Sequence, residues 1–123
     1  MNVSPKQIIG LTEHVGVRST AKKRGKRVLA RIDTGAVMSS IDVSLAASLG
    51  LGPIKRMKKV KNANGVTERA VVDCVFVIKG HEQVTEVTLA DRKHLKYRIL
   101  IGQNILQKTD LIINPRKQAR KKT

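Results

Sequence analysis

The sequence predicts an all-β domain, mainly strands with one or two short helices, and three observations support this class. Apolar content is almost entirely aliphatic, because Phe76 and Tyr97 are the only aromatic residues. Runs rich in Val and Ile, such as residues 71–78, are typical of strands. Asn64-Gly65 lies between two apolar segments and favours the tight turn of a hairpin. At 123 residues the chain fits one domain.

The first half of the chain divides at its charged and turn-forming residues. Ser40 or Asp42 is suited to cap a helix, and Gly50, Gly52 and Pro53 to stop it. The predicted elements are a lead and first strand (1–17), a charged hairpin loop (18–27), a strand ending before Asp33 (28–32) and a helix (43–49).

The second half alternates apolar runs with turn signals. The predicted elements are a long hairpin (57–78) with its tip at Asn62, Ala63, Asn64 and Gly65, a strand (84–90), a polar connection (92–97), a short strand (99–101), a short helix (104–107) and a last strand (111–113). We therefore expect a domain over residues 1–115 and a basic C-terminal tail over residues 116–123.

Net charge is the unusual bulk property of the chain. Its 25 Lys and Arg residues outnumber its 9 Asp and Glu residues, which gives +16. Phosphate backbones bind such clusters without base-reading geometry, so the charge favours RNA as a partner, for instance in the ribosome. Solvated surface is the alternative interpretation of each cluster. The candidate RNA-binding residues are Lys22, Lys23, Arg24, Lys26, Arg27, Lys55, Arg56, Lys58, Lys59, Lys61, Arg116, Lys117, Arg120, Lys121 and Lys122.

Cysteine and histidine content argues against a disulfide or a metal site. Cys74 is the only cysteine, and the three histidines match no zinc-ligand spacing. The N-terminal residues contain no apolar run that would suggest a signal peptide or membrane span. We expect a cytoplasmic protein with no cofactor, no metal and no membrane partner.

One motif carries chemistry: Asp33-Thr34-Gly35-Ala36, placed directly after an apolar strand. An apolar box with a glycine, Leu100-Ile101-Gly102, follows later in the chain. With the segment 87–92 and Asn114-Pro115, these residues resemble the retropepsin-like aspartic peptidases. The resemblance is strongest to small bacterial and archaeal members often labelled ATP-dependent zinc proteases, although the chain offers no ligand set for the zinc in that label.

The resemblance implies a half-barrel with one lobe per chain and a homodimeric endopeptidase. Each chain would contribute Asp33 to a pair of carboxylates that activates a water. It also implies that Thr34, Gly35 and Ala36 support the catalytic loop, that Gly102 packs behind it, and that residues 62–65 form a flap over substrate. The lysines and arginine beside that flap suggest an acidic peptide substrate.

The chain departs from the retroviral pattern at two positions. Gln103 stands where an Arg is expected after the glycine, and Val37 where an acidic residue is expected after Ala36. Both members of a supporting ion pair are therefore absent. This leaves two hypotheses: an active homodimeric peptidase, or a non-catalytic, ribosome-associated protein that uses the same fold to hold RNA.

Overall fold

Strands dominate the fold, and each chain forms one lobe, as the sequence predicts. A computed structural model describes residues 7–119, apart from the side chain of Asn62. Arg120, Lys121 and Lys122 lie outside the described residues. The elements are β1 (Ile8–Ile9), β2 (Thr12–Arg18), β3 (Lys26–Ile32), β4 (Ser40–Asp42), α1 (Val43–Ser48), β5 (Arg56–Asn62), β6 (Gly65–Ile78), β7 (His81–Ala90), β8 (Ile99–Ile101), α2 (Gln103–Leu106) and β9 (Ile112–Ile113).

Seven of the strands form one sheet that closes on itself. Their order is β2-β3-β8-β4-β7-β6-β5, and β2 also pairs with β6. The β2–β6 pairing closes the first six of these strands into a barrel, which leaves β5 as an extension at the edge. β1 and β9 pair in parallel as a separate two-stranded sheet.

The barrel interior is packed by alternating aliphatic side chains. In β2 every second residue is buried, which places Val15 and Val17 in the core. Phe76 is fully buried among Ile and Val residues of the other strands. Neither described helix has the length and apolar character needed to cross a membrane.

Local differences from the predicted elements have physical causes. The predicted first strand is interrupted at Gly10 and Leu11, so it becomes β1 and β2. Residues 40–42 were expected to lead into a helix but form β4, a three-residue strand between β7 and β8. β4 pairs with β7 and β8, which are distant in sequence, so no local sequence pattern predicts this strand. Asp42 rather than Ser40 caps α1, because its side chain accepts from Leu45 N.

The β5–β6 hairpin has its tip where the sequence places it. Asn62 pairs with Gly65, so the turn consists of Ala63 and Asn64. Of the Asn-Gly pair only the glycine adopts a positive φ, 121°. The hairpin projects from the barrel because β6 has 14 residues and only its C-terminal part pairs with β2 and β7.

Candidate active site

Asp33 lies immediately after β3, where the strand leaves the barrel. β3 pairs in parallel with β8, and Asp33 N donates to Ile101 O at 2.8 Å. Gly35 N donates to Asp33 Oδ1 at 2.9 Å, which fixes the half-buried carboxylate at the start of a tight turn. A Cβ on Gly35 would lie 3.3 Å from that same oxygen, so glycine leaves the carboxylate accessible.

Gly102 brings the start of α2 against the loop that follows Asp33. A Cβ at this glycine would lie 2.6 Å from Ala36 O, a contact that no larger residue could make without moving the backbone. Backbone bonds continue the junction, from Gln103 N to Ala36 O at 2.7 Å and from Asn104 N to Val37 O at 3.1 Å. The loop and the helix therefore form one unit.

Gln103, at the position where the retroviral pattern has an arginine, makes an uncharged hydrogen bond. Gln103 Nε2 donates to Thr34 O at 2.8 Å. The Val37 side chain is 66% exposed and has no charge to offer an arginine. The glutamine thus links α2 to the catalytic loop through a backbone carbonyl, which is present whatever residue stands at position 37.

A buried polar network behind Asp33 was not predicted from the sequence. Ser39 is fully buried, and both its N and its Oγ lie 2.8 Å from Asn104 Oδ1. Ser39 Oγ also accepts from Gly102 N at 2.8 Å. Asn104 Nδ2 donates to Glu86 O at 2.8 Å and to Thr85 Oγ1 at 3.3 Å. The spacing of 65 residues between Ser39 and Asn104 gives no local pattern that could have revealed this contact.

A cleft of about 490 Å³ runs from the loop that follows Asp33 to the β5–β6 hairpin. Asp33 lies just before Ala36, where the cleft begins. No Asp or Glu is among the described residues that line the cleft. Its lining is Ala36, Val37, Met38, Ser40, Lys58, Lys59, Val60, Lys61, Arg69, Thr88, Arg92 and Leu100.

Arg92 is held firmly at the wall of this cleft. Its Nε donates to Tyr97 O at 3.0 Å, and its backbone N donates to Asp42 Oδ1 at 2.9 Å. Burial, and then the nearby charges of Arg69 and Arg31, lower its pKa, whereas Asp33 acts in the opposite direction. The negative charges of Asp42 and, more weakly, of Asp33 therefore act on Arg92.

Asp42 anchors the segment that carries Arg92. The carboxylate is 1% exposed and accepts from Arg98 Nη2 at 2.8 Å, from Leu45 N at 3.2 Å and from Ser44 Oγ. Burial opposes its ionisation, but the hydrogen bonds from Ser44 and Arg98 and from the backbone outweigh this and hold the Asp42 pKa well below its usual range. A buried anion thus joins α1 to the cleft wall.

The base of the hairpin is attached to the barrel by ion pairs. Both Arg56 Nη atoms contact the Glu86 carboxylate, at 2.7 and 2.8 Å. Lys55 Nζ lies 3.0 Å from Glu86 and 3.3 Å from Asp73. Hydrogen bonds from Arg56 and Lys55 lower the Glu86 pKa to about 2. Two of the predicted RNA-binding residues are therefore engaged in the fold.

The other predicted basic residues lie in several places. Those of the β2–β3 hairpin, Lys22, Lys23, Arg24, Lys26 and Arg27, are exposed. Lys58, Lys59 and Lys61 line the cleft. Lys117, assigned to the tail, donates to Ile8 O at 2.6 Å and to Glu13 Oε1 at 3.0 Å. RNA binding by these residues, and the separation of a tail at residue 116, stay predictions.

Within residues 7–119, no three His, Cys, Asp or Glu side chains come together as a metal site would require. Cys74 is fully buried in β6, and burial raises the pKa of its thiol to about 12, so it is protonated at neutral pH.

Residues 45–123 match the model of the RimB-like family, described as retropepsin-like aspartic endopeptidase RimB. The match begins after the loop of Asp33, so it identifies the family through the rest of the barrel. No curated protein is similar enough in sequence to match the chain.

Solved structures share the fold. An EIAV protease bound to an inhibitor has a TM-score of 0.62 at 21% identity, covering 79% of this chain and 85% of that chain. A Legionella pneumophila protein of unknown function has a TM-score of 0.60 at 18% identity, covering 90% and 94%. A retropepsin-like aspartic protease from Rickettsia conorii has a TM-score of 0.54 at 23% identity, covering 77% of each chain.

Proposed function

Because the chain belongs to the RimB-like family of retropepsin-like aspartic endopeptidases, we propose that it hydrolyses peptide bonds with Asp33 as its catalytic carboxylate. The observation that carries this proposal is the placement of Asp33. It directly follows the barrel strand β3, and its carboxylate is locally fixed by Gly35 N. The same loop continues into Ala36, Val37 and Met38, which line a cleft bounded on the far side by the β5–β6 hairpin.

Catalysis in this arrangement requires a second copy of the chain. Two carboxylates about a hydrogen bond apart are needed, and each lobe has one Asp-Thr-Gly loop. A two-fold axis beside Asp33 would bring the two loops together. The backbone bonds and the Gln103 contact that fix each loop support such a pairing, because a preorganised loop loses little freedom on assembly.

The reaction follows from the shared proton of the two Asp33 carboxylates. The ionised carboxylate accepts a proton from a water molecule, whose oxygen attacks the scissile carbonyl carbon. The protonated partner donates a hydrogen bond to the carbonyl oxygen and stabilises the charge that develops there. The C–N bond then breaks, and the proton taken from the water passes from the Asp33 carboxyl to the nitrogen of the leaving amine. The β5–β6 hairpin acts as the flap that covers the substrate and excludes bulk water.

We further propose that the substrate is an acidic peptide. No Asp or Glu is among the described residues that line the cleft, whereas five cationic side chains line it: Lys58, Lys59, Lys61, Arg69 and Arg92. A cleft of one sign of charge attracts ligands of the opposite sign and disfavours basic ones. Family membership by itself gives no substrate, so this proposal depends on the cleft alone.

The test is cleavage of quenched fluorogenic peptides that differ only in charge: acidic, neutral and basic. We expect cleavage of the acidic peptide, inhibition by a statine-type transition-state mimic, and loss of turnover by at least about a thousandfold in Asp33→Asn. The matched control is Asp110→Asn, the same change at an exposed position after α2, which should keep full turnover.

The outcomes separate the two parts of the proposal. Turnover that persists in Asp33→Asn would exclude Asp33 as the catalytic group. Equal turnover of the three peptides, abolished by Asp33→Asn, would retain the peptidase and exclude the acidic preference.

A further inference from the structure

The β2–β3 hairpin carries a concentration of positive charge that the peptidase does not use. Residues 22–27 contain five cations and a single glycine: Lys22, Lys23, Arg24, Lys26 and Arg27. All five are exposed, and none of them lines the cleft of the candidate active site.

The fold does not neutralise these charges. No Asp or Glu occurs between Arg18 and Asp33. Among the described residues, no carboxylate lies within ion-pair distance of any of the five cations, whereas Lys55, Arg56 and Lys117 each have such a partner. Like charges held together without a counterion raise the free energy of the isolated protein, and an anionic partner would relieve this repulsion.

The loop that carries the charges has a defined backbone. A Cβ on Gly25 would lie 2.1 Å from Val17 O, so the two arms of the hairpin approach as closely as glycine permits. Arg18 donates to Lys22 O at 3.0 Å and pairs with Glu82 at 2.6 Å, while Ala21 N donates to Ser19 Oγ at 3.1 Å. The cations are thus presented on a preorganised surface, which lowers the entropic cost of binding.

Composition distinguishes the kind of anion. The hairpin loop has no exposed large hydrophobic side chain, whereas protein partners usually bury an apolar centre. It also has no aromatic residue on which unpaired bases could stack. Phosphate backbone binding needs neither feature. Five cations within six residues suit the closely spaced phosphates across the narrow major groove of A-form RNA better than the groove of B-DNA, which is about 12 Å wide.

We propose that the β2–β3 hairpin, residues 18–27, is a docking surface for the phosphate backbone of double-stranded RNA. Binding does not depend on the RNA sequence, because the surface contacts phosphates and not bases. It does not depend on catalysis either, because these residues lie outside the cleft. It would place the peptidase next to substrates associated with structured RNA.

Fluorescence anisotropy of the whole protein with a labelled RNA duplex of arbitrary sequence tests this proposal over a range of KCl concentrations. The variant Lys22→Gln/Lys23→Gln/Arg24→Gln should bind at least about tenfold more weakly, and its slope of log affinity against log salt should be smaller by about 2 to 3. The matched control, Lys93→Gln/Lys96→Gln/Lys108→Gln, removes the same charge from other exposed positions and should change the affinity less than about threefold.

Three results would overturn the proposal. Equal weakening by both triple variants would show a diffuse effect of net charge. Competition by an acidic peptide as strong as by the RNA duplex would identify a protein partner, and equal affinity for a DNA duplex would exclude selection of A-form RNA. None of these readouts involves turnover, so the peptidase proposal stands or falls separately.

Discussion

At the scale of single residues, the side chain of Ser39 connects two segments that are far apart in the sequence. Its hydroxyl accepts from Gly102 N and donates to Asn104 Oδ1, and thereby connects the loop after Asp33 to α2. The side chain is fully buried, so water cannot replace either bond. The position of the loop after Asp33 depends on this hydroxyl as well as on Gly102.

Ser39→Ala should lower the free energy of unfolding by about 1 to 3 kcal/mol, because it leaves the buried Gly102 N–H without a partner. Urea unfolding followed by circular dichroism measures the change. Ser48→Ala is the control, since it removes an exposed hydroxyl at the end of α1 and should cost less than about 0.5 kcal/mol. Equal losses in the two variants would contradict a special role for Ser39.

At the scale of elements, the hairpin over the cleft depends on one residue of β7 at its base. Glu86 binds Arg56 and Lys55 through its side chain, and its backbone carbonyl accepts from Asn104. One residue therefore contacts both the base of the flap and the network behind the catalytic loop. Its side chain is 30% exposed, so the stabilisation is modest, about 1 kcal/mol.

Glu86→Gln should destabilise the protein near neutral pH and accelerate amide exchange in β5. The Glu86 pKa is lowered in the fold from 4.5 to about 2, so its ion pairs stabilise the protein above pH 4.5 and lose this effect as the pH falls towards 2. The difference in unfolding free energy between wild type and variant should shrink over that interval. Urea titrations at several pH values and hydrogen exchange measure both effects.

Glu82→Gln provides the control for this element, because Glu82 lies near the start of β7 and pairs with Arg18 of β2 rather than with β5. Amide exchange in β5 should stay unchanged in this variant. If amide exchange in β5 were equally fast in both variants, Glu86 would not be the residue that attaches the β5–β6 hairpin to the barrel.

At the scale of the whole molecule, the proposed dimer needs an apolar surface near Asp33. Ile8 and Ile112 are neighbours in the β1–β9 sheet and are 45% and 47% exposed. Leu11, 53% exposed, follows β1, and its carbonyl accepts from Ile32 N directly before Asp33. We propose that these three exposed side chains contribute to the contact with a second copy of the chain.

Ile112→Lys should shift the protein from dimer to monomer and reduce turnover in the same proportion, because a charge at the centre of an apolar interface is desolvated without a partner. Sedimentation velocity over a range of protein concentrations, with turnover measured in parallel, tests this. Val84→Lys, at a 61% exposed position on β7, should change neither quantity. A wild-type protein that is monomeric and active at every concentration would refute the dimer.

Much of the fold was predictable because its signals are local. The Asp33-Thr34-Gly35-Ala36 motif and the alternating aliphatic strands indicated a retropepsin-like lobe, which the family match and the solved structures confirm. The tip of the β5–β6 hairpin followed from Gly65, a residue type with a strong preference for turns. The cap of α1 was predicted as Ser40 or Asp42, and the structure selects Asp42. The exact limits of several strands could not be predicted from the sequence, because a strand ends where its pairing with neighbouring strands ends.

By itself, the sequence determined the all-β class and the one-lobe architecture, and it located the Asp33-Thr34-Gly35-Ala36 motif proposed to be catalytic, since each depends on patterns within a few neighbouring residues. Only the tertiary structure decided the Ser39–Asn104 network, the hydrogen bond from Gln103 to Thr34 O, and which of the described basic residues form ion pairs or line the cleft. These features join residues up to 104 positions apart, as in the ion pair between Lys117 and Glu13. Hydrogen bonds and ion pairs act over a few ångströms, and only closure of the barrel brings such residues within that distance.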